Sequence, residues 1–187
     1  MKIYFFGGSF DPPHRAHKLI YKYCINLCDK FIFFPSKCSP GKLKPKSDSQ
    51  DRLKMLNLLI DKKDKSKVIV DNFELINDKD ESFTIDTIYY LKKKFKNSSI
   101  NMVIGYDQYK NLNNWKDYNK ILELVNIICF KRGEFISDNI DLVEFLDFNQ
   151  DISSSLIRKK ISNNDILNNF LNKSVYDYII NKNLYKV

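Results

Sequence analysis

Residues 7–17 read Gly7-Gly8-Ser9-Phe10-Asp11-Pro12-Pro13-His14-Arg15-Ala16-His17, and they stand between two segments of different periodicity. Before them, Ile3-Tyr4-Phe5-Phe6 is a short continuous apolar run, the pattern of a buried strand. After them, Lys18-Leu19-Ile20-Tyr21-Lys22-Tyr23-Cys24 has the apolar spacing of a helix. A strand, a glycine turn and a helix start together make an anion site, because free backbone N–H groups and the positive end of the helix dipole aim at one place. Gly7 and Gly8 let the backbone approach a ligand with no Cβ in the way. Pro12 and Pro13 stiffen the turn and delay the helix until about His14. The two histidines of the chain, His14 and His17, lie three residues apart and add donors aimed at the same anion. The stretch therefore predicts a phosphate-handling nucleotide site. It is neither a G-x-x-x-x-G-K-[ST] phosphate loop nor a G-x-G-x-x-G dinucleotide fingerprint.

Outward from this stretch the pattern alternates. Strand-like runs fall at 2–6, 30–34, 67–73, 100–104 and 125–130, and helix-like segments at 15–28, 49–61 and 84–96. From 151 onward the chain reads as helical, over Ser153–Ile161, Asp165–Asn172 and Ser174–Asn183. Continuous apolar strands joined by helices imply an α/β fold: a Rossmann-like parallel sheet with helices on both faces, here followed by a helical C-terminal segment. Such sheets bind ligands beyond the carboxyl ends of their strands, which places 7–14, 35–45 and 105–109 around one crevice. Length and the absence of a linker predict a single domain over 1–187.

Composition narrows the function. Hydrophobic content of 43% with 14% aromatic residues is that of a globular chain rather than a disordered one. The apolar runs are too short to span a bilayer and no leader precedes Lys2, so the cytoplasm is the expected location. The net charge of +8 invites a nucleic-acid reading. Its densest run, Lys62-Lys63-Asp64-Lys65-Ser66-Lys67, has no interleaved aromatics and reads as a solvated loop, so no nucleic-acid partner is expected. Cys24, Cys28, Cys38 and Cys129 form no CxxC pair and read as reduced, mostly core residues, with no metal site expected. Lysine fills most of the 31 basic positions, which leaves Arg15, Arg52, Arg132 and Arg158 as candidates for contacts that need a planar fork. The basic loop 35–48 reads equally as a mobile lid on phosphates or as a plain connection.

A second motif is Asp151-Ile152-Ser153-Ser154-Ser155-Leu156-Ile157-Arg158. Ser153 is a good N-cap, and Arg158 follows just over one turn later, within reach of the same anion. Serine-rich helix starts usually only cap, so this motif gains meaning from its pairing with residues 7–17.

The glycine-rich turn ending in His14-Arg15-Ala16-His17 resembles the nucleotidyltransferase superfamily, whose signature ends in His-x-Gly-His. Alanine is the smallest departure from that glycine and keeps the helix. The superfamily closes its ATP site with a similar Ile-Ser-Ser-x-x-Ile-Arg segment. Between the two motifs, Ser82-Phe83-Thr84-Ile85-Asp86-Thr87-Ile88, Ile104-Gly105-Tyr106-Asp107, Trp115 and Phe130-Lys131-Arg132-Gly133 are similar in order and spacing to the bacterial nicotinate-nucleotide adenylyltransferase family, over residues 3 to about 185. Three departures stand out: Ser39-Pro40-Gly41-Lys42 replaces Pro-Pro-His-Lys, Tyr106 replaces a small residue, and Arg132-Gly133 lacks an intervening proline.

The resemblance implies AMP transfer from ATP to nicotinate mononucleotide. It assigns catalysis to His14, His17 and Arg158, and ATP binding to Gly7, Gly8, Ser9, Phe10, Lys42, Arg132, Ile152, Ser153 and Ser154. Thr84, Gly105, Asp107 and Trp115 would border the nicotinate nucleotide. Mg²⁺ would be held mainly by the ATP phosphates, since the motifs offer no carboxylate cluster. The implied partners are the two small-molecule substrates, with no nucleic acid and no membrane, and a homo-oligomer is compatible with all of this. The alternatives are another small-molecule adenylyltransferase, such as pantetheine-phosphate adenylyltransferase, or a nucleotide- or RNA-binding protein without activity.

Overall fold

Strand β1 (Lys2–Gly8) buries Ile3, Tyr4, Phe5 and Phe6 in succession, as a strand covered on both faces must. The computed structural model describes residues 1–131, 143–148, 150, 152–165, 167 and 169–186. In chain order β1 is followed by α1 (Arg15–Cys24), β2 (Lys30–Pro35), α2 (Ser49–Leu59), β3 (Val68–Val70), α3 (Phe73–Ile76), α4 (Thr84–Lys94), β4 (Ser99–Gly105), α5 (Tyr106–Tyr109), α6 (Tyr118–Leu124), β5 (Asn126–Lys131), β6 (Val143–Asp147), α7 (Ser154–Ser162) and α8 (Lys173–Asn181).

The strands form one parallel sheet in the order β3-β2-β1-β4-β5-β6. The strand order reverses between β1 and β4, and in such a sheet the crevice opens beyond the carboxyl ends at that reversal. The register sets Gly8 beside Pro35 and Gly105 beside Phe130, so the turns leaving β1, β2 and β4 emerge at one edge.

Alternation along each strand divides the core. Tyr4, Phe6, Phe31 and Phe33 join Ile20 and Tyr21 of α1, Met55 and Leu56 of α2, Ile157 of α7 and Val175 of α8. Ile3, Phe5, Ile32 and Phe34 join Ile85, Ile88 and Leu91 of α4 and Ile121 of α6 on the other face. The expected α/β sheet with helices on both faces and a helical C-terminal segment is therefore present.

The sequence expectation lacks the short helices α3, α5 and α6, and two further elements differ from it. Strand β6 was not expected: Val143-Glu144-Phe145-Leu146-Asp147 pairs with β5 at the sheet edge, where partial exposure removes the need for a continuous apolar run. The expected helix Asp165–Asn172 is absent at its described residues. The chain instead leaves α7 through a Schellman closure: Asn164 adopts φ +56°, its N–H donates to Ile161 O, and Asp165 N–H donates to Lys160 O. Asparagine tolerates this left-handed conformation, so a sequence poor in glycine still ends helices sharply. Among the described residues, no helix is long and apolar enough to cross a membrane.

Phe33, fully buried, sets its ring against those of Phe10, Phe31, Tyr21 and Phe6 at centroid distances of 5.3, 5.0, 6.0 and 6.2 Å. Phe33→Ala is expected to lower stability by about 3–5 kcal/mol, read as an earlier midpoint in urea unfolding.

Candidate active site

The β1–α1 turn is held from several sides. Gly8 O accepts the Ser36 N–H at 2.9 Å, which joins the turn to the chain leaving β2. A Cβ on Gly8 would stand 3.3 Å from the Phe10 ring, tight enough to push that ring away. Phe10 itself adopts φ +49°, and its buried ring meets Phe6, Phe33 and His17 edge-on. What residue 10 presents to a ligand is thus its backbone, because the ring belongs to the core. Beneath the turn, buried Arg52 donates from Nη1 to Ser9 O at 2.9 Å and to Ser36 O at 2.7 Å. Burial lowers its pKa and the neighbouring Asp11 opposes that shift.

His14 is the N-cap of α1 and is buried, and its ring stacks on that of His17 with centroids 3.7 Å apart. The His14 N–H donates to His17 Nδ1 at 3.1 Å. That bond needs the lone pair on Nδ1, so a neutral His17 carries its proton on Nε2. Ala16, where the resemblance has glycine, is buried in the core with Ile20 and Tyr21. One donor of the α1 start is already engaged: Arg15 N–H bonds Phe170 O at 2.9 Å.

Asp11 is the hub. Its carboxylate accepts from Lys46 N–H (2.6 Å), Ser47 N–H (3.1 Å), Ser47 Oγ (2.6 Å) and Tyr185 Oη (2.8 Å). Arg158 donates from Nη1 to the Asp11 carbonyl at 2.6 Å and from Nη2 to Ser155 Oγ at 3.2 Å. Ser154 Oγ donates to Pro12 O at 2.9 Å, and Ser153 caps α7 by accepting from Leu156 N–H at 3.2 Å. Ile152, just before the cap, is buried in the core. Two motifs some 140 residues apart in sequence are thereby closed into one constellation.

Across the crevice, Thr84 is the first residue of α4, Gly105 caps α5, and Asp107 lies exposed in the first turn of α5. Half-buried Trp115 follows a short helical turn and packs on the second core. Lys116 places Nζ 4.6 Å over the Phe83 ring, which brings the Trp115 segment beside the one carrying Thr84. Lys42 donates to Gln108 Oε1 at 3.2 Å and so ties the 35–48 loop to α5. Arg132 lies outside the described residues.

Sequence reading missed Asp11, Glu74 and Tyr185. Asp11 carried a usable signal, because an acidic residue inside an anion-binding turn is anomalous unless other donors consume it. Glu74 and Tyr185 carried none, since their partners are remote in sequence. The Arg52 expectation was half right: the planar fork is used, but on backbone carbonyls. Among the described residues, no three His, Cys, Asp or Glu side chains are grouped to hold a metal.

Glu74 lies buried under the crevice, accepting the Thr87 hydroxyl at 2.7 Å. A Cβ on Gly7 would come 3.9 Å from its Oε1. Burial pushes its pKa from 4.5 up to about 7, against the lowering effect of its hydroxyl partners. The folded chain therefore keeps a proton that the unfolded chain releases, and stability present below pH 4.5 is lost as pH rises through 7. Glu74→Gln should remove that slope. The variant is expected to gain on the wild type by up to about 3 kcal/mol between pH 5 and pH 8 in urea unfolding.

The sequence pattern of the cytidylyltransferase-like family matches residues 5–160. A probable nicotinate-nucleotide adenylyltransferase of Hydrogenobaculum sp. (strain Y04AAS1) is 33% identical, covering 99% of this chain and 98% of its own. One of Borreliella afzelii (strain PKo) is 34% identical over 99% of this chain and 97% of its own. In three dimensions the fold matches Plasmodium falciparum nicotinic acid mononucleotide adenylyltransferase complexed with NaAD, with a TM-score of 0.82 at 24% identity, covering 98% of this chain and 97% of that one.

Proposed function

The chain belongs to the cytidylyltransferase-like family and, within it, to the nicotinate-nucleotide adenylyltransferases; from that premise we propose that it transfers AMP from ATP to nicotinate mononucleotide, a step of NAD biosynthesis. The observation that carries the reading is the closure of the two motifs. Ser154 on Pro12 and Arg158 on Asp11 set a second helix start and a guanidinium against the turn that bears His14 and His17.

A 5′-phosphate oxygen of nicotinate mononucleotide attacks the α-phosphorus of ATP in line. A new P–O bond forms, the bond from the α-phosphorus to the bridging oxygen breaks, and pyrophosphate leaves with the electron pair. Such transfer asks the protein mainly for positioning and charge neutralisation. The stacked histidines suit this, with Nε2 of His17 donating to the α- and β-phosphates beside His14. Arg158 and Lys42 meet the departing pyrophosphate, with Lys44 on the same loop as a further ammonium. The backbone of Gly7, Gly8, Ser9 and Phe10 lies along the triphosphate, and Ile152, Ser153 and Ser154 border the adenylate, with Arg132 assigned to that end. Thr84 and Trp115 border the nicotinate ring, and Gly105 and Asp107 the ribose.

Magnesium would add charge neutralisation on the triphosphate, carried by phosphate oxygens and water, because the carboxylate inside the turn, Asp11, is already engaged. We read residues 1–187 as one nucleotidyltransferase domain acting in the cytoplasm.

Pyrophosphate release from Mg-ATP should be strongest with nicotinate mononucleotide, set beside nicotinamide mononucleotide and phosphopantetheine. Activity with phosphopantetheine alone would move the acceptor assignment while keeping the ATP site. Because the imidazole acts mainly on the charged transition state, His17→Ala is expected to lower kcat by about 10²–10³-fold with the fold intact. An unchanged kcat would sink the assignment.

A further inference from the structure

Tyr185 sits two residues from the end of the sequence, far from either motif, and its backbone is strained. Helix α8 ends in a Schellman closure, with Asn183 at φ +50° and Leu184 N–H donating to Ile179 O at 3.0 Å. Tyr185 follows at φ +65°, a conformation that a bulky side chain adopts only when its surroundings over-determine it. Those surroundings are polar. The hydroxyl lies 2.8 Å from Asp11 Oδ1 and 2.9 Å from Ser47 Oγ, while Ser47 Oγ is 2.6 Å from the same Asp11 oxygen.

Three oxygens in mutual contact share two protons, one from each hydroxyl. Either both hydroxyls donate to Asp11, or one hydroxyl donates to the other, which donates onward to Asp11. In each arrangement the phenol is part of the set of donors that satisfies Asp11 and Ser47. Burial and the Asp11 charge push its pKa well above the ordinary tyrosine value, so it stays a donor. The ring packs on the core that contains α2, α7 and α8, which anchors the hydroxyl from the rear.

We propose that Tyr185 is a positioning residue of the ATP half of the site, holding the Asp11 carboxylate from which Arg158 and the end of the 35–48 loop take their places. The proposal rests on reading this constellation as an ATP site. Asp11 is the joint because its two ends do different work. The carbonyl holds Arg158 at 2.6 Å, and the carboxylate fixes Lys46 and Ser47, the far end of the loop that carries Lys42 and Lys44. A carboxylate that loses a donor turns toward the remaining ones, and the guanidinium lying 3.8 Å from Oδ2 is the nearest competitor. Arg158 would then be drawn from phosphate to Asp11. Among the described residues, no hydrogen bond of this network involves Thr84 or Trp115, so the effect falls on ATP.

Tyr185→Phe keeps the ring and removes only the hydroxyl. It should raise KM for ATP and lower kcat/KM for ATP by about tenfold, as loss of one positioning contact does. KM for nicotinate mononucleotide should stay within about twofold, even though the urea midpoint falls by what loss of one bond to a buried carboxylate brings. Ser47→Ala should produce the same split, and the double variant should lose less than the product of the two single losses. Calorimetric titration with a non-hydrolysable ATP analogue separates the two layers of the argument. Wild-type protein that binds no analogue overturns the ATP-site reading itself. Wild-type protein that binds it, with Tyr185→Phe binding equally well and keeping wild-type ATP kinetics, overturns only the role given to Tyr185. An equal loss toward both substrates, in step with a fallen urea midpoint, would make Tyr185 merely structural and would also overturn it.

Discussion

A carboxylate buried within a backbone turn is costly unless donors from its own chain absorb the charge, and Asp11 meets that constraint by drawing in three remote segments. Two backbone N–H groups and a hydroxyl come from Lys46 and Ser47, a phenol from Tyr185, and the guanidinium of Arg158 stands on the same residue. Each donor fixes one wall of the crevice: the end of the loop after β2, the C-terminal tail, and the first turns of α7. Hydrogen bonds to a charged group are worth roughly 1.5–3 kcal/mol each, so the walls are held by interactions stronger than ordinary loop contacts. Arg52 does the complementary work below, where its guanidinium satisfies the carbonyls of Ser9 and Ser36 that no strand or helix can reach.

The fold was legible wherever one element was buried on both faces. Ile3–Phe6 and Phe31–Phe34 are continuous apolar runs because helices cover both sides of the sheet, and the helices between them show the matching spacing. Legibility failed where burial is partial or a cap decides the outcome. Strand β6 is an edge strand with half-exposed residues, so its pattern resembles a loop. The stretch after α7 carries apolar residues at helical spacing, yet the Asn164 closure turns the chain before a new helix begins. Left-handed asparagine is a weak sequence signal, because asparagine occurs throughout this chain in other roles.

The site divides along the same line. His14, His17, Ser153 and Ser154 were readable as helix-start residues, and Arg158 as one turn further on, because local spacing sets those places. Glu74 and Tyr185 were not, because each matters through a partner that only the tertiary fold supplies. The scarcity of arginine did point to residues with demanding geometry. In Arg52 and Arg158, the demand comes first from backbone carbonyls. A guanidinium already held through one nitrogen retains other N–H groups, and its remaining direction is set in advance, which an ammonium on a free stem cannot match.

The two halves of the crevice are built to different stiffness, and that difference bears on specificity. The half that carries the β1–α1 turn is clamped by bonds to Asp11, Arg52, Pro12 and Gly8, and its aromatic floor is part of the main core. The opposite half presents Thr84, Gly105 and Trp115 half-exposed and Asp107 exposed at the starts or ends of short elements, joined to the 35–48 loop through Lys42 and Gln108. A rigid half suits chemistry shared by every member of a family that works on a nucleoside triphosphate, since misplacement by an ångström there is costly in rate. A lightly held half can change its acceptor through a few residues without disturbing the other. The departures at Ser39–Lys42 and at Tyr106 fall outside the set of residues bonded to Asp11. Variation is tolerated where no buried charge depends on the residue that varies.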